Sequence, residues 1–321
     1  PVIGQMPAAP VPVQSVIVDQ TARDISIETP LYSAVINEQG GGFKSFALKN
    51  YTKEKIGDTS FMELVQTELP TELPIVFSLQ NGTPQGLQIF KADKERIVLG
   101  GENETANLVM TASLGGGIEI TRTLVFDAAT YLIDDRYQVV NSSSSPVLAS
   151  PALAFANRPF IVGNAASRYM FSGPVAFVNG ELSEVKGKKL TKGPQTFTGS
   201  VSWAAYEDNY FIFAVMPTVE RNRSVLMSAV NETVHTVITE GNVTLSPGSP
   251  QEFNYNLYFG PKKLSILEQM GGELSKSINF GWFDVLAKPM LWLLNFFNDY
   301  IKNYGVAIIL LTILIKGTFW P

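Results

Sequence analysis

"IEITRTLVF", residues 118–126, alternates apolar and polar side chains with a period of two. Ile118, Ile120, Leu124 and Phe126 fall on one face and Glu119, Thr121 and Thr123 on the other, as in a strand with one buried side. Further stretches between residues 23 and 260 behave alike: "RDISIE", "LYSAVINEQ", "YLIDDRYQVV", "YFIFAVMP", "ETVHTVITEGNVTL" and "EFNYNLYFG". Between them lie turn-forming compositions, among them "GGG" at 40–42, "NGTPQG", "LGGGI", "NSSSSP" and "SPGSP". Strands that follow strands without helical stretches build an antiparallel sandwich or barrel. Residues 15–265 suffice for about fifteen to twenty strands, more than one immunoglobulin-sized sandwich holds. The expected fold is mainly β, a large antiparallel two-sheet sandwich.

Residues 1–14, "PVIGQMPAAPVPVQ", carry four prolines and read as an extended linker. Neither an initiator Met nor a signal peptide opens the chain, and the reading expects a longer protein on both sides. The 321 residues contain no cysteine, which removes disulfides, cysteine-bound zinc and thiol nucleophiles. A net charge of −5, with no basic run longer than two residues, argues against nucleic acid as a partner. Metal constellations, phosphate loops and nucleophile elbows are likewise missing, so no cofactor is expected.

After "FGPKK" the period changes. Residues 266–304 read as helical, with a break at Gly271 and Gly272. In "FGWFDVLAKPMLWLLNFFNDYIKNYG", residues 280–305, the polar positions Asp284, Lys288, Asn295, Asp299 and Lys302 share one helical stripe. Apolar and aromatic residues occupy the rest of the circumference. Pro289 is expected to kink this helix or to open a second one. Such a helix packs into a soluble core or lies in a membrane interface, where Trp and Tyr gather. On the second reading Trp282, Trp292, Tyr300 and Tyr304 are its interfacial anchors.

Residues 305–321, "GVAIILLTILIKGTFWP", hold a run at 306–315 that is apolar but for Thr312, and then Lys316. Spanning a bilayer takes about twenty such residues. The run is either a buried helix or strand of a soluble protein, or the start of a transmembrane helix. In the latter case Lys316 lies roughly 16 Å along the axis from Gly305, near the bilayer midplane. A cation there costs at least about 2.5 kcal/mol and is functional unless it snorkels to the interface.

This junction resembles that between the periplasmic domain and the second transmembrane helix of the bacterial YidC membrane-protein insertases. The shared features are "GW", an apolar Pro-containing amphipathic helix, "NYG", an Ile/Leu-rich run, a basic residue and a final Pro. Upstream, "ETPLYSAVINEQGGGFKSFALKNY", "WAAYEDNYFIFAVMP" and "LYFGPKK" resemble further landmarks of that family, in family order. The resemblance implies a β-supersandwich similar to galactose mutarotase, an interfacial helix, and membrane helices of which 305–321 begins the first. It implies an inner-membrane, multi-pass parent with residues 1–304 on the periplasmic side. Nascent membrane proteins would be its substrates, and the lipid bilayer and the Sec translocon with its accessory subunits its partners. Lys316 stands where the family usually has an arginine that projects into a hydrophilic groove. Lysine keeps the charge and loses the bidentate fork. Insertion makes and breaks no covalent bond, so no enzyme is implied.

Two other readings start from the sandwich itself. Mutarotase-like folds bind carbohydrate, and proton shuffling at a sugar needs a positioned acid and base. His235, the only histidine, sits in "ETVHTVITE" on the same strand parity as Thr233 and Val237 and reads as a strand residue without a partner. Trp203, Tyr206, Tyr210 and Phe211 could stack on a sugar or fill the core. Asp134–Asp135 and Glu207–Asp208 read as solvated carboxylates at loop or strand ends. A docking domain for the secretion machinery is the second reading. Sequons such as those at Asn103 and Asn231 are expected to be coincidental in a chain this rich in Asn, Ser and Thr.

Overall fold

The computed structural model describes residues 19–52, 60–67, 69, 72–80, 87–101, 103–160, 171–230, 232–278 and 284–318, with backbone alone at 284–288. The Pro-rich stretch 1–14, Trp282 and the last three residues lie outside that set. Two compact units emerge, one running to Leu274 and one from Ser275 onward.

The first unit contains all the described strands. A five-stranded sheet has the order β4 (Phe61–Glu63), β3 (Phe43–Thr52), β2 (Tyr32–Asn37), β1 (Asp24–Glu28) and β7 (Arg96–Val98). Its neighbours are antiparallel except β1 and β7, which run parallel. A thirteen-stranded sheet begins with β5 (Val76–Ser78), β12 (Ala152–Asn157), β18 (Thr233–Thr239), β17 (Asn222–Val230) and β15 (Gln195–Glu207). It continues through β16 (Phe211–Pro217), β20 (Gln251–Pro261), β10 (Leu132–Asn141), β9 (Ile118–Asp127), β8 (Thr105–Ser113) and β6 (Lys91–Ala92). On β15 hangs the hairpin of β13 (Gly173–Val178) and β14 (Glu181–Glu184). A separate pair joins β11 (Val147–Ala149) to β19 (Val243–Leu245).

Strand β15 folds the large sheet back on itself. Residues 195–200 pair with β17, whereas 204–207 pair with β16. One strand thereby serves two layers, the way corners are made in packed sheets. The folded-over part lies on the rest through ring contacts: Phe77 of β5 stacks on Tyr137 of β10 at 4.2 Å, and Phe155 of β12 on Phe213 of β16 at 5.6 Å. From the smaller sheet, Phe43 and Phe46 meet Phe259 of β20 edge-on at 5.2 and 5.0 Å. Such aromatic pairs add about 0.5–1.5 kcal/mol each beyond the area they bury. The expected large antiparallel sandwich is what forms.

Strand β9 shows why. Its burial alternates strictly from Ile118 to Asp127, with every even-numbered residue inward. That parity includes Arg122, which is 1% exposed. Its Nη1 donates to the Gly41 carbonyl in the β2–β3 turn, so the two sheets are joined by a cation as well as by apolar contact. Gly41 has φ +69°, and a Cβ there would lie 3.1 Å from Arg122 Nη1. Glycine is needed for the close approach and for the backbone.

Short helices α1 (Gly187–Leu190) and α2 (Leu264–Leu267) complete the first unit. A 3-10 turn at Leu274–Ser277 falls at the boundary, and the second unit holds α3 (Asp284–Ile301) and α4 (Tyr304–Thr318).

Candidate functional surfaces

Helices α3 and α4 form a tight hairpin. Lys302 takes φ +55° between them, and Asn303 Oδ1 caps α4 by accepting from the Gly305 and Val306 amides at 2.9 and 3.3 Å. Helix α3 runs on through Pro289, which therefore opens no second helix. Packing against α3 covers a single line of α4: Ala307 is buried, and Leu311 and Ile315, one and two turns on, are half-buried. The remaining aliphatic positions stay bare, with Ile309 59% and Ile313 62% exposed.

On α3, Trp292, Phe296 and Tyr300 lie one turn apart and form an exposed ladder, Trp292 stacked on Phe296 and Tyr300 tilted against it, with ring centroids 5.7 and 5.1 Å apart. The polar stripe of Asn295 and Asp299 runs beside it. Tyr304 is exposed at the start of α4 and Lys316 in its last turn. Helix α4 has 15 residues, and no described helix is long and apolar enough to cross a membrane.

The sandwich offers little for sugar chemistry. Trp203, Tyr206 and Phe211 are core residues, and Trp203 stacks on Phe177 at 5.7 Å; of the four aromatics only Tyr210 is exposed. His235 sits half-buried on β18 opposite Ala156 and Ser228. It has a neighbour that its strand did not reveal: the Glu72 carboxylate opposes the burial that pushes the imidazole below its usual range.

Three of the four carboxylates read as solvated are buried. Asp134 does face solvent, with Arg136 at 3.0 Å. Asp135 is fully buried, held bidentately by Arg122 Nε and Nη2 at 2.7 and 2.8 Å, and it accepts from the Tyr137 hydroxyl at 3.1 Å. Glu207 is 1% exposed and paired with Lys262 Nζ at 2.7 Å. Burial outweighs that pairing, Glu184 and Asp208 add repulsion, and the carboxyl is pushed up to about 7. Asp208 is tied into its turn by the Tyr210 and Phe211 amides, both at 2.8 Å, while burial raises its pKa. The reason is strand parity and turn geometry: Asp135 and Glu207 point inward and meet a donor from another segment, and Asp208 meets the amides of its own turn.

A cleft opens on the sandwich, with a volume of about 470 Å³. Tyr51, Tyr131, Lys263, Gln269 and Met270 are among its walls. No spacing along the chain points to it, because its residues come from four separate segments.

The doubled-over sheet places this unit among the galactose-mutarotase-like β-supersandwiches. The galactose mutarotase related enzyme of Lactobacillus acidophilus superposes with a TM-score of 0.53 at 10% identity, covering 74% of this chain and 97% of that one. A putative aldose 1-epimerase of Escherichia coli gives 0.51 at 9% identity, covering 75% and 99%. At these identities the likeness concerns the fold alone. The chain itself belongs to the YidC family: residues 24–293 match the profile described as the YidC periplasmic domain. Proteins named membrane protein insertase YidC share 32% identity in Geotalea daltonii, 34% in Maridesulfovibrio salexigens and 35% in Syntrophus aciditrophicus. These alignments cover 99%, 96% and 93% of this chain, and 59%, 56% and 55% of the relatives. The chain thus spans a little over half the length of those relatives.

Proposed function

We propose that this chain is the periplasmic sandwich and the first membrane-approaching helices of an insertase that moves membrane proteins into a bacterial inner membrane. The observation that carries the proposal is the family match running from the sandwich into α3, where an aromatic ladder stands exposed. In this reading α3 lies in the membrane interface, anchored by Trp282, Trp292, Tyr300 and Tyr304. Helix α4 begins a transmembrane segment and delivers Lys316 into a hydrophilic groove.

The physics is a lowered barrier. Moving a polar tail through hydrocarbon costs several kcal/mol for each unsatisfied group, and a groove partway through shortens that path. A cation in the groove favours the ionised form of acidic residues in the tail and offsets their loss of water. The substrate's apolar helix then partitions into lipid alongside. Nascent membrane proteins are the substrates, and the sandwich is the face offered to the Sec translocon and its accessory subunits. No bond is made or broken, and no cofactor takes part.

The test uses the full-length parent protein in liposomes, with a short membrane protein whose translocated tail is acidic. Lys316→Arg is expected to insert it normally, and Lys316→Leu to slow insertion at least about tenfold, the equivalent of about 1.4 kcal/mol. Equal insertion by all three proteins would remove Lys316 from the mechanism.

A further inference from the structure

The cleft beside α2 plays no part in the insertase reading. Its volume of about 470 Å³ falls within the roughly 300–1,000 Å³ of ligand sites. We propose that it binds a short acidic segment of an extended polypeptide, one carboxylate seated on Lys263 and apolar neighbours on the cleft floor.

Charge is the first argument. None of the described residues that line the cleft is acidic, in a chain whose net charge is −5. Lys263 takes part in none of the ion pairs among the described residues, although its neighbour Lys262 is committed to Glu207 at 2.7 Å. The Lys262 amide also donates to the Tyr210 carbonyl at 2.7 Å, which fixes the backbone from which Lys263 extends. The Lys263 ammonium lies over the Tyr51 ring, 5.4 Å from its centroid, and that ring meets Phe211 edge-on at 5.4 Å. A cation–π contact holds the charge in place without neutralising it. A carboxylate ligand would complete it.

The rest of the lining suits a peptide. Asn50, bonded to the Tyr131 side chain, and Gln269, whose Nε2 donates to the Ser265 carbonyl at 2.9 Å, present amide groups at the rim. Leu31, Ile266 and Met270 are half-buried and give an apolar floor, with the thioether adapting to different side chains. A sugar ring fares worse. Lys263 already sits over Tyr51 and Tyr131 is 6% exposed, so no bare aromatic face is left for stacking.

The proposal is tested by fluorescence anisotropy on the full chain in mild detergent. The probes are a labelled peptide alternating Leu and Glu, its Leu/Gln and Leu/Lys counterparts, and a malto-oligosaccharide competitor. Saturable binding of the Leu/Glu peptide is expected, weakening with salt. Lys263→Gln should weaken it roughly tenfold, the loss of a charge-assisted contact, and Lys263→Glu should abolish it. Met270→Glu, which brings a carboxylate into the cleft, should compete in the same way, and Lys302→Gln should change nothing. Absent binding, equal binding of the Leu/Gln peptide, undiminished binding by Lys263→Glu, or displacement by the oligosaccharide would each overturn the proposal. The inference stands apart from the insertase reading, because Lys316→Leu is expected to leave peptide binding intact.

Discussion

Replacing Arg122 by methionine tests how the two sheets are joined. The guanidinium makes two bonds to Asp135 at 2.7 and 2.8 Å and one to the Gly41 carbonyl, and its centre lies 5.1 Å from the Tyr137 ring centroid. Both charged side chains are at most 1% exposed. Arg122→Met keeps most of the side-chain volume but strands the Asp135 carboxylate, and leaving one partner of a buried pair costs about 3–5 kcal/mol. The double change Arg122→Met with Asp135→Leu removes the stranded charge. What remains is the bare Gly41 carbonyl and the Tyr137 hydroxyl, at about 1 kcal/mol or more each. The double variant should therefore be more stable than the single one. Urea unfolding, followed by strand circular dichroism and by the fluorescence of buried Trp203, reads both. A single variant that loses less than about 1 kcal/mol, or a double variant no better than the single, would refute the reasoning.

Glu207 makes a pH prediction. Its carboxyl, near 7 in the folded protein against 4.5 ordinarily, keeps its proton between those values while the unfolded chain has lost it. Its contribution is present in full below about pH 4.5 and is lost as pH rises through 7, at about 1.4 kcal/mol per unit of displacement. Glu207→Gln should flatten the decline in urea midpoint between about pH 5 and pH 8, and parallel declines in both proteins would sink the idea. The aromatic ladder makes another. Changing Trp292, Phe296 and Tyr300 together to serine should lower flotation with neutral lipid vesicles at least about tenfold, since each buried ring contributes roughly 1.5–3 kcal/mol. Unchanged flotation would show that the ladder does not meet lipid.

Much of this fold was legible because strands half-buried in a sandwich must alternate. The same rule, applied without exception, would put Arg122, Asp135 and Tyr137 on the inner face as well, where they are found. Asp135 was misread because a charged residue is ordinarily solvated, and its partner lies on another strand. The register that sets Arg122 opposite Tyr137 is a property of pairing, invisible in either strand alone. Glu207 and Asp208 escaped for a like reason: Lys262 arrives from beyond β20, and the Tyr210 and Phe211 amides come from a tight turn. The aromatic ladder of α3 was visible as residues at helical spacing. The cleft was not, because nothing along the chain links Tyr51, Tyr131 and Lys263.

The chain order of the large sheet bears on how such a protein is made. Strand β20 is the last of the described strands, yet it sits between β10 and β16 and carries Phe259 against Phe43 and Phe46. A polypeptide delivered from its N-terminus cannot close this core until residue 261 has emerged. Until then two long strands keep unpaired edges, open to mispairing. Assembly is withheld until the final strand arrives, so a nascent chain halted before β20 is the form that would need a chaperone.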